Sequence, residues 1–474
     1  MIFRDLREWM EQVDKIGELR TLTGVHWDLD MGRVTDIVSH REGAPTVVFD
    51  EIPGYPKGFR VLVNFFGSWN RLAMLMALPV PDTPLDLVKA WRAKLKEPKL
   101  IPPKVVKDGP ILENVKQGKD IDLLAFPVPR FRLQDGGRYI GTGSITITRD
   151  PEEGWVNLGT YRVMLHDATT LGFYISPGKH GRIHREKYLA RGEPCKVAIS
   201  FGQDPQLFLA SSVEIPYKVE EYQFVGGLKG EPIDVIEGEY SGLPLPARAE
   251  IVIEGEAIFN EKRDEGPLGE WTGYYASGKR PEPIIKVKRL YYRNDPIITG
   301  VSAGRPPSAS SRTVSINRAA MIWDELEKAG VPDVKGVWCH PAGGARLFTV
   351  VSIKQRYPGH ARQAGMIASF CHAGAYTGRY VVVLDDDIDP SNTDDVIWAM
   401  TTRSDPQGDI EIIRRCWSTP LDPMIRKGQP PLNSRAIIDA CRPYEWLDEF
   451  PDVSSFPPEE LQDAMKRYGK QLFP

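Results

Sequence analysis

Three stretches of the chain carry side chains whose types could do chemistry. VNLGTYRVML, SPGKHGRIH and KVEEYQFVGG offer Asn157, His180 and Glu221, an amide oxygen, an imidazole and a carboxylate. That mixed N/O set suits Mn²⁺ or Mg²⁺ and not a soft-metal thiolate cage. The glycine-rich turn Ser176-Pro177-Gly178-Lys179-His180-Gly181 has backbone amides and a lysine able to meet a phosphate, but it lacks the Gly-x-x-x-x-Gly-Lys-Ser/Thr order of a P-loop. On spacing alone these residues also read as ordinary turn, surface and core positions. The second stretch is Asp264-Glu265-Gly266-Pro267-Leu268-Gly269-Glu270, two glutamates five residues apart across a stiff turn. Such a pair divides roles when a cation holds one carboxylate ionised and an apolar pocket raises the pKa of the other, which then donates a proton. Arg162 could supply the cation. A solvated acidic turn, or the carboxylate pair of a glycosidase, uses the same residue types. The third stretch, Val381-Val382-Val383-Leu384-Asp385-Asp386-Asp387, is a buried-looking strand ending in carboxylates. Ligands gather at such ends in α/β sheets, but Asp there also caps the next turn, and the structural role is expected. His360 and His372 are expected to be structural as well.

These groups need a scaffold of some size. The chain has 474 residues, 41% of them apolar, enough for about three domains at roughly 150 residues each. Its 60 basic residues against 64 acidic ones leave a net charge of −4, which excludes a nucleic-acid binder that relies on neutralising phosphates. The 43 glycines and 40 prolines follow no repeat and indicate a turn-rich globular protein. The start, MIFRDLREWMEQVDKIGELR, has no apolar signal region, and the longest apolar runs, such as Tyr380 to Leu384, are far too short to span a bilayer. Cys195, Cys339, Cys371, Cys416 and Cys441 form no Cys-x-x-Cys pair and read as reduced core thiols. A soluble, cytoplasmic protein with no membrane and no nucleic-acid partner is expected.

Hydrophobic periodicity predicts a helix over residues 5 to 16 closed by Gly17, another near 32 to 41, strands at Thr46 to Phe49 and Arg60 to Asn64, and a Pro/Lys-rich connector over 79 to 119 with little regular structure. From 139 to 301 the texture is β, which packs as a barrel or sandwich. After GRPPSASS the α/β pattern returns, with a helix at about 315 to 328 and strands at Leu347 to Ile353 and Tyr380 to Leu384. An acidic, proline-punctuated tail is expected to pack through Trp446, Phe450 and Phe456. The expected domains are 1–120 (N-terminal α/β with connector), 121–305 (β-barrel) and 306–474 (C-terminal α/β with the tail).

In order along the chain, NLGTYR, PGKHG, EEYQFVGG, LPLPARAEIVIEGE, EGPLGEWTGYY, IKQRYPGHA and VVVLDDDIDPSNTDDVIWAMTTRSDP resemble the UbiD-like reversible decarboxylases, which use prenylated flavin mononucleotide (prenylated FMN). The resemblance implies an α/β multidomain fold: an N-terminal α/β domain, a central split β-barrel similar to flavin reductases, and a C-terminal α/β domain that mediates a homodimer or higher homo-oligomer. It places Mn²⁺ (or Mg²⁺) on Asn157, His180 and Glu221. The cofactor is lined by Asn157, Leu158, Gly159, Thr160, Tyr161 and Arg162 with Lys179, His180, Ser211 and Glu221. A second cation, K⁺ (or Na⁺), falls near Trp155, Ala210, Ser211, Val213 and Glu221. The implied catalytic set is Arg162, Glu265 and Glu270. The cofactor acts as electron sink for CO₂ loss from an sp² carbon, which no side chain can do. Arg162 meets the substrate carboxylate, Glu265 holds Arg162, and Glu270 protonates the carbon, with Leu268 and Trp271 as sources of desolvation. A basic residue of some relatives falls roughly at Cys371 to Ala373. The implied partners are a small carboxylic acid, CO₂ and a flavin prenyltransferase that supplies the cofactor. The acid is aromatic, heteroaromatic or α,β-unsaturated, and RCWSTPLDPMI resembles the aromatic and hydroxyaromatic acid enzymes. Rival readings are a flavin-dependent oxidoreductase on the same barrel, a non-catalytic subunit of a multi-subunit carboxylase, which should lack Arg162 or one of the two glutamates, and a flavin-free hydrolase.

Overall fold

The computed structural model describes residues 3–213, 215 and 218–473. Its architecture is mixed α/β, with a four-stranded sheet, a nine-stranded antiparallel sheet, a small three-stranded sheet and a five-stranded sheet. The first helix, Leu6–Lys15, buries Leu6, Trp9 and Val13 on one stripe, as their spacing predicts. Asp5 caps it by accepting from the Glu8 amide, and Gly17 follows in the left-handed conformation at φ 75°. Strands Leu19–Thr23, Thr46–Asp50 and Arg60–Val63 form the N-terminal sheet. Its fourth strand, Ile297–Gly300, returns from far along the chain to pair in parallel with Arg60–Val63.

The connector is less irregular than its prolines suggest. Pro84–Leu95 is a helix, because Pro84 stands at the first helical position, where no amide hydrogen bond is lost, and Thr83 with Asp86 forms a capping box. Asn114–Gln117 already pairs with the central sheet, antiparallel to Arg280–Tyr292.

The central sheet runs, in spatial order, through Arg138–Gly141, Val163–Asp167, Thr170–Gly172, Arg280–Tyr292, Ile251–Glu265, Cys195–Phe201, Ser144–Arg149 and Val156–Gly159. It is an open, curled sheet built around the 15-residue strand Ile251–Glu265 and the 13-residue strand Arg280–Tyr292, whose register shifts between Ile258 and Lys262. Alternation decides which core each residue enters. Ile251 and Ile253 face one cluster with Val163, Leu165, Leu171 and Phe173, whereas Val252 faces the other with Ile145 and Ile147. Glu250, fully buried, pairs with Arg7 of the first helix at 2.8 Å and Arg293 at 3.3 Å, which ties the N-terminal unit to this sheet.

In the C-terminal unit the sheet order is Val334–Cys339, Phe348–Ile353, Tyr380–Asp385, Leu432–Ala440 and Ile410–Trp417. The helix before it spans Ala309–Lys328, starting six residues earlier than its apolar pattern indicates. The segment GRPPSASS that precedes the expected helix holds Ser308, which caps the helix by accepting from the Ser311 amide. All five cysteines are free thiols. Among the described residues no helix is long and apolar enough to cross a membrane. The tail departs from expectation. Its helix Pro458–Leu472 lies largely exposed, and Phe456 is 68% exposed. Trp446 and Phe450 meet each other at 5.2 Å.

Candidate active site

Arg162 sits in the short link between strands Val156–Gly159 and Val163–Asp167, while Glu265 ends the long strand Ile251–Glu265. The two come from different parts of one curled sheet, so its curvature brings them together. The Arg162 guanidinium donates to Glu265 at 2.7 Å and to Glu270 at 2.9 Å. The three side chains are 11%, 0% and 15% exposed respectively. Tyr139 donates from its hydroxyl to the other oxygen of Glu265 at 3.0 Å, so both Glu265 oxygens are occupied. Ser277 donates to Glu270 at 3.3 Å. Arg162 also lies over the Tyr174 ring at 4.6 Å, and Arg280 lies over the same ring at 4.1 Å.

The turn that carries Glu270 is fastened on several sides. Gly266 is left-handed at φ 83°. Gly136 donates to the Pro267 carbonyl at 2.8 Å, and a Cβ on Gly136 would stand 2.0 Å from the Gly266 carbonyl oxygen. Asp135 accepts from the Gly269 amide and the Tyr275 hydroxyl. Glu270 closes its own loop, donating to the Tyr274 carbonyl at 3.1 Å and accepting from the Gly273 amide at 2.9 Å.

Burial and neighbouring charge act on Glu270, Arg162 and Tyr139 in different ways. Burial pushes the Glu270 carboxyl above its ordinary range, against the pull of Arg162. Burial works against the Arg162 charge, but the adjacent Glu265 and Glu270 carboxylates overcome it and hold the guanidinium more firmly protonated. Burial, with the Glu265 charge adding to it, raises the Tyr139 phenol, which keeps it a hydrogen-bond donor. The site holds a fixed cation between two carboxyl groups, one of which, Glu270, burial biases toward its neutral form.

The second constellation is assembled next to this one. Asn157 is buried on strand Val156–Gly159 and donates from its amide to the Tyr161 hydroxyl at 3.4 Å; that hydroxyl also accepts from the Gly181 amide at 3.0 Å. One phenol thus links Asn157 to the first turn of helix His180–Ala190. Glu221, the first residue of helix Glu221–Lys229, accepts from the Leu158 amide at 2.8 Å. Its buried carboxyl is pushed up to about 8 by burial, and among the described residues no cationic side chain pairs with it. Burial, with Lys179 nearby, holds the His180 imidazole below its usual value. An amide oxygen, a neutral imidazole and a carboxylate lacking a counter-charge fit a hard divalent cation. Of the residues expected near the monovalent cation, Trp155 is buried beside His180, ring to ring at 5.3 Å. Ala210 and Ser211 lie in the last turn of the helix Pro205–Ser212, with Val213 at its C-cap. The Ser211 carbonyl accepts from the Thr160 hydroxyl at 3.4 Å, and Lys179 is exposed on its turn.

Outside these clusters, Asp385 accepts from Gln355, Arg403 and Arg442 at the end of its strand, a structural clasp in keeping with the sequence reading. His360 is buried at a helix start against Tyr357, with ring centroids 4.6 Å apart, and His372 begins the short helix His372–Ala375. Sequence reasoning missed Tyr139, Tyr174 and Ser277. Strand pairing and curvature bring Tyr139 and Tyr174 to the site, and Ser277 lies beyond the end of the EGPLGEWTGYY motif.

A curled antiparallel sheet between two α/β units, with a buried arginine held by two glutamates, defines a class of carboxylate-handling enzyme. The family model for the N-terminal domain of 3-octaprenyl-4-hydroxybenzoate carboxy-lyase (UbiD) matches residues 10–91, that for its Rift-related domain 104–306, and that for its C-terminal domain 312–440. The chain belongs to the UbiD family of carboxy-lyases. It is 34% identical over 453 residues to the phenolic acid decarboxylase of Bacillus subtilis, covering 94% of this chain and 93% of that one. It is also 34% identical over 422 residues to the pyrrole-2-carboxylic acid decarboxylase of Pseudomonas aeruginosa, covering 85% and 84%. The vanillic acid decarboxylase of Sedimentibacter hydroxybenzoicus in its open form superposes with a TM-score of 0.87 at 30% identity, over 99% of this chain and 100% of that chain. An evolved dimeric form of the UbiD-class enzyme HmfF from Pelotomaculum thermopropionicum, in complex with prenylated FMN, superposes with a TM-score of 0.81 at 26% identity, over 97% and 98%.

Proposed function

We propose that this chain catalyses the reversible, non-oxidative decarboxylation of an aromatic, heteroaromatic or α,β-unsaturated carboxylic acid. The observation that carries the proposal is the Arg162 guanidinium, nearly buried and held at 2.7 Å by Glu265 and at 2.9 Å by Glu270. A desolvated guanidinium binds a carboxylate strongly and in a fixed orientation. Prenylated FMN, when bound, supplies the electron sink that CO₂ loss from an sp² carbon requires. Every other part of the work falls to side chains. Arg162 orients the substrate carboxylate. Glu265, with its second oxygen taken by Tyr139, keeps Arg162 from turning away, and Glu270 in its neutral form delivers a proton to the carbon that has lost CO₂. In the carboxylation direction Glu270 takes that proton back. The presence of Arg162 and both glutamates favours a catalytic chain over a non-catalytic subunit.

Asn157, His180 and Glu221 would hold Mn²⁺ or Mg²⁺. Residues 157–162, Lys179 and Ser211 would line the flavin, and Trp155, Ala210, Ser211, Val213 and Glu221 would surround K⁺ or Na⁺. The reading includes three units at 1–120, 121–305 and 306–474, a central sheet of the split-barrel type found in flavin reductases, and a cytoplasmic homodimer or higher oligomer whose exposed tail helix meets a second copy. A flavin prenyltransferase would supply the cofactor. The test is native mass spectrometry and absorbance of protein co-expressed with a flavin prenyltransferase and supplied with Mn²⁺. A bound species one five-carbon unit heavier than FMN is expected. Folded, metal-loaded protein without any flavin would overturn the proposal.

A further inference from the structure

Trp271, the residue after Glu270, is gripped by a different part of the molecule from the one that fastens the rest of its turn. Strands Val334–Cys339 and Phe348–Ile353 of the C-terminal sheet are joined by a tight turn in which Gly344 is left-handed at φ 64°. A Cβ on Gly344 would lie 2.5 Å and 2.8 Å from two carbons of the Trp271 indole, so the ring fills the space a side chain would need. The Arg346 guanidinium lies over that ring at 4.7 Å from its centroid and donates to the Gly344 carbonyl at 3.1 Å. The turn is stiff in its own right. Gly344 donates to the Pro341 carbonyl at 3.0 Å and Ala345 to the His340 carbonyl at 3.1 Å, and the His340 ring is bonded to the Thr393 hydroxyl at 2.7 Å.

On its other side the same loop is bound to the central unit by Gly136 and Asp135, and it is pressed against Arg305, whose Cα would be 2.8 Å from a Cβ on Gly273. Glu270 therefore sits one residue from the place where the C-terminal unit touches the carboxylate turn. A displacement of about 1 Å at a reacting group is enough to cost about 100-fold in rate, so this contact can set how well Glu270 is aimed.

We propose that Arg346 and Gly344 are positioning residues that act through Trp271. They dock the C-terminal unit on the carboxylate turn and so place Glu270 beside Arg162. The proposal rests on the reading of Glu270 as proton donor. Neither residue is part of the metal, flavin or carboxylate-binding sets above.

The experiment compares the full-length wild type with Arg346→Ala, Arg346→Lys and Gly344→Ala. In cofactor-loaded enzyme, Arg346→Ala is expected to lower kcat about 10-fold with KM within about twofold, and Gly344→Ala to do at least as much. Arg346→Lys, which keeps a cation over the ring, recovers most of the loss. In the unloaded chain, amide hydrogen exchange at residues 268–275 should quicken about 10-fold in Arg346→Ala, with exchange in strand Ile251–Glu265 unchanged up to residue 263. Wild-type exchange and wild-type kcat in Arg346→Ala would overturn the proposal. So would a uniform rise in exchange over the whole sheet with no rescue by lysine, which marks a contact that serves stability alone. Should Arg346→Ala not fold, Arg346→Gln carries the same comparison. Quickened exchange at 268–275 beside a fully active Glu270→Gln enzyme would leave the docking contact standing and defeat the proton-donor reading instead, so the two failures are distinct.

Discussion

At the scale of single residues, the site works by keeping one charge and discouraging another within 3 Å. Removing Arg162 from water costs several kcal/mol, which only well-made hydrogen bonds repay; Glu265 makes one at 2.7 Å, and Tyr139 satisfies the oxygen that remains. Glu270 shares the same cation but is raised, chiefly by burial, so it gives up its proton less readily in the folded protein than in the unfolded chain. The sign of the consequence follows. A folded pKa above the unfolded value of 4.5 contributes stability that is fully present below pH 4.5 and is lost as pH rises through the folded pKa. Glu270→Gln carries no such titration. Thermal melts of both proteins from pH 4 upward should show wild type losing ground to Glu270→Gln as pH rises. A difference that stays flat or shifts the other way would mean that Glu270 is held as an anion.

At the scale of elements, the carboxylate turn depends on a glycine at the start of a neighbouring segment. Gly136 has no room for a methyl group, which would meet the backbone of Gly266 at 2.0 Å and 2.5 Å. Gly136→Ala should displace the turn, lower the melting temperature and lower kcat by about 10-fold or more; unchanged melting and kinetics would show that the turn tolerates the shift. The turn itself was legible in EGPLGEWTGYY, because Pro and Gly at fixed positions make a rigid hairpin of two carboxylates. Tyr139 and Tyr174 were not legible. They reach Glu265 and Arg162 through strand pairing and curvature, and the order of strands in a sheet leaves no trace in local periodicity. The helix Pro84–Leu95 was missed for a different reason. Six prolines from 79 to 103 outweighed one Thr-Pro-x-Asp capping signal.

At the scale of the molecule, the α/β, β and α/β texture along the chain foreshadows a mixed fold of several sheets, but strands cross between its expected regions. The crossings between them were not visible. Ile297–Gly300 joins the N-terminal sheet and Asn114–Gln117 the central one, pairings that depend on which edges are free. The Glu250 clasp with Arg7 and Arg293 spans more than 240 residues of sequence, and the Arg346–Trp271 contact joins a motif residue of the carboxylate turn to an arginine that lies in no motif. Motif order identified the family because seven motifs follow one another in order, five in the central region and two in the C-terminal one, and the distances place Arg162, Glu265 and Glu270 in direct contact. The measurement that tests the central claim most directly is CO₂ release from a panel of aromatic and heteroaromatic acids by cofactor-loaded wild type and Glu270→Gln, with bound flavin quantified in both. Release by wild type, and none by a variant that still holds its flavin, is the predicted result. Turnover by Glu270→Gln above a few per cent of wild type would contradict it.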